Sequence, residues 1–111
     1  MPTSTRHADR KDLIVYLPTL DTSRDELIGH VVDLTDTGAR LLGPVELEPG
    51  RELDLEIQAP CRKALLVRAV CRWSQRDLNP DFHASGLEFV ELDEAARTLI
   101  GTLVHRNGFR G

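Results

Sequence analysis

The sequence predicts a mainly β domain: a small antiparallel barrel of short strands, closed by one helix at the C-terminal end. Three observations carry that reading. Apolar and polar residues alternate, most cleanly over residues 51–58, where Leu53, Leu55 and Ile57 face one way and Glu52, Asp54 and Glu56 the other. Turn signals recur at fairly regular intervals, at Asp36-Thr37-Gly38, Gly43-Pro44, Pro49-Gly50, Ala59-Pro60 and Asn79-Pro80. Only the C-terminal stretch changes period, with Leu92, Ala96, Leu99, Ile100, Leu103 and Val104 at helical spacing, Asp93 placed to cap and Gly108 to end the helix.

Taken in order, residues 1–12 are polar and irregular, which predicts an arm that is mobile without a ligand. Residues 13–17 (LIVYL) read as a first strand stopped by Pro18, and residues 19–26 as a polar loop. A central hairpin follows over residues 31–42. There Val32 and Leu34 alternate with Asp33 and Thr35, so the apolar pair is predicted to enter the core and the carboxylate and hydroxyl to stand outside. Gly38 suits a positive φ and a close approach to the backbone, and Ala39 and Leu41 begin the returning strand. Residues 63–73 form a long strand with apolar residues on both faces, as expected if another element covers it from outside. Residues 83–91 form the last strand. The expected division is therefore an arm over 1–12 and a barrel domain over 13–111, with its helix over 92–107.

At 111 residues the chain fits one domain with a modest core. Fourteen Lys and Arg against eighteen Asp and Glu leave a net charge of −4, which disfavours a general nucleic-acid or anionic-membrane binder. The five aromatic residues (three Phe, one Tyr, one Trp) are too few for a base-stacking nucleic-acid barrel. No segment reads as membrane-spanning or as a signal peptide, so no membrane insertion and a cytoplasmic location are expected. In that compartment Cys61 and Cys71 are expected to be reduced, structural thiols. His7, His30, His83 and His105 are scattered and form no metal set with the cysteines, and strict alternation puts His30 and Asp33 on opposite faces. With no nucleophile motif and no phosphate-binding glycine loop, the expectation is a protein that is not an enzyme and holds no cofactor or metal.

Two motifs point to a ligand instead. Arg6 and Arg10 form Arg-x-x-x-Arg just before the first strand, and Asp33, Thr35 and Gly38 form Asp-x-Thr-x-x-Gly in the central hairpin. In this order they resemble the two signature motifs of the PilZ family, small β-barrel receptors for the bacterial second messenger cyclic di-GMP. Val70-Cys-Arg-Trp73, then Ser85-Gly-Leu-Glu-Phe89 and a short helix, are similar to the family's closing pattern, so the resemblance covers nearly the whole chain. It implies a closed barrel of about six strands with the helix packed at one end. It also implies cyclic di-GMP as ligand, with Arg6 and Arg10 clamping phosphates and one guanine, and Asp33, Thr35 and Gly38 holding a base on the barrel surface.

The residue types suit those roles. Arginine's planar fork pairs with phosphate oxygens or the guanine O6/N7 edge and stacks on bases. An ionised aspartate accepts from guanine N1–H and N2–H, and a threonine hydroxyl donates or accepts. Two departures from the family pattern stand out: Thr35 occupies the usual serine position, and Thr5 precedes the arginine motif where many relatives have another arginine. Two readings stand for Trp73, a core side chain in an apolar strand or, as the resemblance implies, a base-stacking ring. Arg40 and Arg72 cannot be placed from spacing. The function expected is a receptor whose arm orders over cyclic di-GMP and signals to an unidentified effector protein. The alternative is a PilZ-fold interaction module, for example in pilus assembly, that binds no nucleotide.

Overall fold

Alternation builds most of the barrel. In β4 (Glu52–Ala59) the apolar residues Leu53, Leu55, Ile57 and Ala59 are all buried, and the acidic residues between them stay on the outside. The structure, a computed structural model, describes residues 12–60 and 62–105. The other strands are β1 (Asp12–Asp21), β2 (Glu26–Leu34), β3 (Gly38–Gly43), β5 (Lys63–Arg76) and β6 (His83–Glu91), followed by helix α1 (Glu94–His105). All pairings are antiparallel, and the strands close in the order β1-β2-β3-β6-β5-β4. Closure gives every strand two neighbours, which limits the open sheet edge that is the usual liability of small β domains. β6 inserts between β3 and β5, so the central hairpin and the C-terminal strand share one outer surface.

Leu17, Val31, Leu34, Leu41, Leu55 and Leu65 fill the interior, and Ala96, Ile100 and Leu103 of α1 join the same cluster. The Asp93 carboxylate accepts a hydrogen bond from the Ala96 N–H at 2.8 Å, capping the helix as its position in the sequence predicts. The helix begins at Glu94, with Leu92 packed against the core ahead of the cap.

Several boundaries differ from the sequence reading. β1 does not stop at Pro18 but continues to Asp21. Before Thr19 the strand pairs, among the described residues, with β2 alone, and a residue without N–H is tolerated where only one neighbour needs bonds. The expected polar loop over 19–26 shrinks to a turn at Thr22–Asp25. There the buried Asp21 carboxylate accepts from the Ser23 N–H and hydroxyl and pairs with Arg51 at 3.4 Å. β5 runs three residues beyond Trp73. Its outer face is covered only in part, since Leu66 is 63% exposed while Val70 is buried. The expected arm, with Arg6 and Arg10, lies outside the described residues except for Asp12, as do Cys61 and Gly108. No helix among the described residues is long and apolar enough to cross a membrane.

Candidate functional site

Two β-bulges shape the surface over β2, β3, β6 and β5. In β2 the register slips between Val31, opposite Leu41, and Asp33, opposite Arg40, so Val32 and Asp33 together face one residue. A bulge gives its two residues the same side of the sheet. The residues flanking it in the core cluster are therefore Val31 and Leu34; Val32, which strict alternation pairs with Leu34, is buried but lies outside that cluster. Asp33 does point outward, but Val32 shares its side, and His30, exposed, lies on the outer face as well. The predicted opposition of His30 and Asp33 fails for this reason.

The second bulge falls between Cys71, opposite Leu87, and Trp73, opposite Gly86. Cys71 stays fully buried, while Arg72 and Trp73 both turn outward. Without the extra residue Trp73 would follow Cys71 into the core. Instead it is 39% exposed. Burial pushes the Cys71 thiol above its ordinary range, and the thiol donates a hydrogen bond to the Trp73 carbonyl at 3.4 Å.

The pairings Asp33–Arg40, Arg40–Gly86 and Gly86–Trp73 make one row across the four strands. With neighbouring strands about 4.8 Å apart, the row spans about 14 Å. It floors a groove of about 220 Å³ lined also by Thr35, Gly38, Arg72 and Glu88. Within it the Asp33 carboxylate, only 5% exposed, pairs with Arg40 at 3.3 Å, and Arg72 pairs with Glu88. Both arginines that spacing could not place thus stand on the groove, held by carboxylates on neighbouring strands. The Asp33 pair is the more shielded of the two; the Arg72–Glu88 pair is half exposed and contributes little to stability.

Thr35 and Gly38 occupy the groove rim in other ways than alternation predicts. The Thr35 hydroxyl accepts from the Thr37 and Gly38 N–H groups at 3.3 and 3.2 Å, so it organises the hairpin turn. Gly38 does not take a positive φ. What it leaves room for is the neighbouring strand: a Cβ there would lie under 3.0 Å from the Leu87 carbonyl oxygen of β6. A larger depression of about 510 Å³ lies by Thr22, Asp54, Leu66, Arg68, Glu91 and Asp93. Its cation, Arg68, is engaged by Asp54 and Glu52, and its remaining charged groups are acidic, which suits an anion poorly.

The sequence matches a family model, the PilZ domain, over residues 4–106, a span that takes in the barrel, the hairpin motif on the groove rim and the arginine motif upstream of it. The chain belongs to the PilZ family. Solved structures agree on the fold of this PilZ domain. It is similar to the inhibitor of motility MotI (DgrA) of Bacillus subtilis, with a TM-score of 0.72 at 14% identity over 90% of this chain and 50% of that one. It is also similar to YcgR of Escherichia coli in complex with c-di-GMP, with a TM-score of 0.68 at 11% identity over 88% of this chain and 44% of that one. The PilZ domain of YcgR with c-di-GMP, taken alone, gives 0.61 at 14% identity over 90% and 92% of the two chains. The chain thus spans about half the length of the first two proteins. Among curated proteins none matches the chain.

Arg40, Arg72, Gly86 and Glu88 stand on the groove although neither sequence motif includes them. No local pattern places them; their positions follow from β6 pairing between β3 and β5. The motif Ser85-Gly-Leu-Glu-Phe89 was the available signal, because it sets Gly86 and Glu88 on the side of the strand opposite Leu87.

Proposed function

We propose that this PilZ domain is a cyclic di-GMP receptor and that the groove over Asp33, Arg40, Gly86 and Trp73 is where a guanine binds. The observation that carries the reading is the row itself: a buried carboxylate and an exposed aromatic ring lie at its two ends with Gly86 between them. Asp33 accepts from guanine N1–H and N2–H, displacing or sharing Arg40. Trp73 stacks on the ring, an arrangement typically worth about 1–3 kcal/mol per base. Thr35 holds the β2–β3 turn together at the rim, and Gly38 keeps β3 tight against β6 beneath the ligand. Arg6 and Arg10 supply the charge that the two phosphates require, and Arg40 and Arg72 add to it from the barrel. The arm orders over the bound nucleotide, and the surface so formed is read by an effector protein.

Calorimetric titration with cyclic di-GMP, and with cyclic di-AMP as the control for base identity, tests the proposal. Saturable heat with the guanine dinucleotide, absent or far weaker with the adenine one, is expected. A second reading draws on the groove's internal bonds: Thr35 is engaged in its turn and Asp33 with Arg40. A domain that binds neither dinucleotide would be the interaction module that uses no nucleotide. Amide exchange adds the switch to the same experiment. Protection over residues 5–12 should rise on adding cyclic di-GMP, and unchanged exchange there would refute arm ordering.

A further inference from the structure

Gly86 is buried although it sits on the outer face of β6, and the atoms covering it belong to Trp73. A Cβ at residue 86 would lie under 3.0 Å from Nε1, Cε2 and Cδ1 of the indole. With three contiguous ring atoms this close, the ring presents its pyrrole face to the strand and not an edge. Gly86 also pairs with Arg40 on one side and Trp73 on the other, so the empty position in the row is the one the indole fills. Gly86 needs no positive φ. Its lack of a side chain serves contact, not backbone conformation.

We propose that Gly86 is a positioning residue: its bare backbone seats the Trp73 indole flat, and this prebuilt platform, with its other face open to the groove, takes the purine ring of the ligand. The bulge at Arg72–Trp73 brings the indole out of the core, and Gly86 decides how it lies once outside. A ring already held on the strand loses little rotamer freedom on binding, so more of the stacking energy appears as affinity. The inference rests on the cyclic di-GMP reading for its ligand, but the seating itself is a property of the free protein.

Trp73 is the only tryptophan in the chain, so its fluorescence reports on the seat directly. In the free protein, Gly86→Ala should shift the emission to the red and raise its quenching by acrylamide, because the methyl group lifts the ring into solvent. The dissociation constant for cyclic di-GMP should rise roughly 5- to 150-fold, the range lost with one base–aromatic stack. In a Trp73→Ala background the same Gly86→Ala change should add no further loss, since a residue that acts through the ring has nothing left to act on. It should also be tolerated better in thermal melts there, which keeps the test informative if Gly86→Ala alone unfolds the domain. Parent-like emission and quenching in Gly86→Ala would overturn the proposal, as would an equal loss of affinity with and without the indole. If the parent does not bind cyclic di-GMP, the functional reading fails, while the fluorescence and melting comparisons still decide whether Gly86 seats the ring.

Discussion

Replacing Gly38 by alanine separates two reasons for a glycine on the groove rim. If the glycine only makes room for a ligand, the substitution should weaken binding and leave the free protein as stable as before, or slightly more so. A Gly-to-Ala change in a conformation open to both residues stabilises by about 0.4–1 kcal/mol through the unfolded chain. The structure predicts the opposite sign. The new Cβ meets the Leu87 carbonyl oxygen, a backbone atom of the paired strand, which cannot swing aside as a side chain would. β3 and β6 must separate locally, an overpacking that typically costs about 1–3 kcal/mol. The net loss is then about 1–2 kcal/mol, or a fall in Tm of roughly 4–16 °C for a domain of this size. Gly101 in α1 provides the control, because a Cβ there meets nothing within 4 Å. Gly101→Ala should raise stability by up to about 1 kcal/mol, as a helix-interior glycine does when replaced. Thermal and urea melts of the two variants should therefore move in opposite directions. A Gly38→Ala protein as stable as the parent would refute the close approach of β6 and return Gly38 to a purely ligand-facing role.

Three further outcomes follow from the same geometry. Leu34→Ala should cost about 2–5 kcal/mol through the cavity it leaves, whereas Asp33→Ala should cost less, about 1–3 kcal/mol, because Arg40 is 37% exposed and its charge is not stranded. Equal losses in urea melts would mean that the faces of β2 are wrongly assigned. Arg6→Ala and Arg10→Ala should each lower cyclic di-GMP affinity by about 1.5–3 kcal/mol with little change in Tm, and raising salt should weaken parent binding; parent-like titrations would remove both arginines from the clamp. In a Cys61→Ser background, the buried Cys71 thiol should react slowly with a disulfide reagent at mildly alkaline pH. Its pKa is raised on folding, so its stabilising contribution is complete below the unfolded value near 8.5 and is lost as pH climbs through the higher folded value. A Tm that rises over that interval would contradict the assignment.

Much of this barrel is legible in the sequence because alternation is a local property. Leu53, Leu55 and Ile57 declare their face without reference to any other strand, and Asp93 with the spacing of Ala96, Ile100 and Leu103 declares a capped helix. The site is less legible because it depends on two extra residues. Nothing in the composition around Val32 or Arg72 marks a bulge, yet each one reverses the faces that follow it. Hence Trp73 looks like a core residue until its partner strand is known. Arg40 and Gly86 gain their meaning from pairing across a chain separation that periodicity does not reach. Pro18 misled in the other direction. Its rule holds for strands with two neighbours, and among the described residues β1 has only one at that point.

Chemical-shift mapping on the labelled protein tests the central claim most directly. On titration with cyclic di-GMP, the largest amide shifts should fall on Asp33, Gly38, Arg40, Gly86 and Glu88. The single indole N–H of Trp73 should move with them, and residues such as Leu66 and Arg68 at the larger depression should stay in place. Shifts centred on Leu66, Arg68 and Glu91, or no shifts at saturating dinucleotide, would contradict the assignment of the groove.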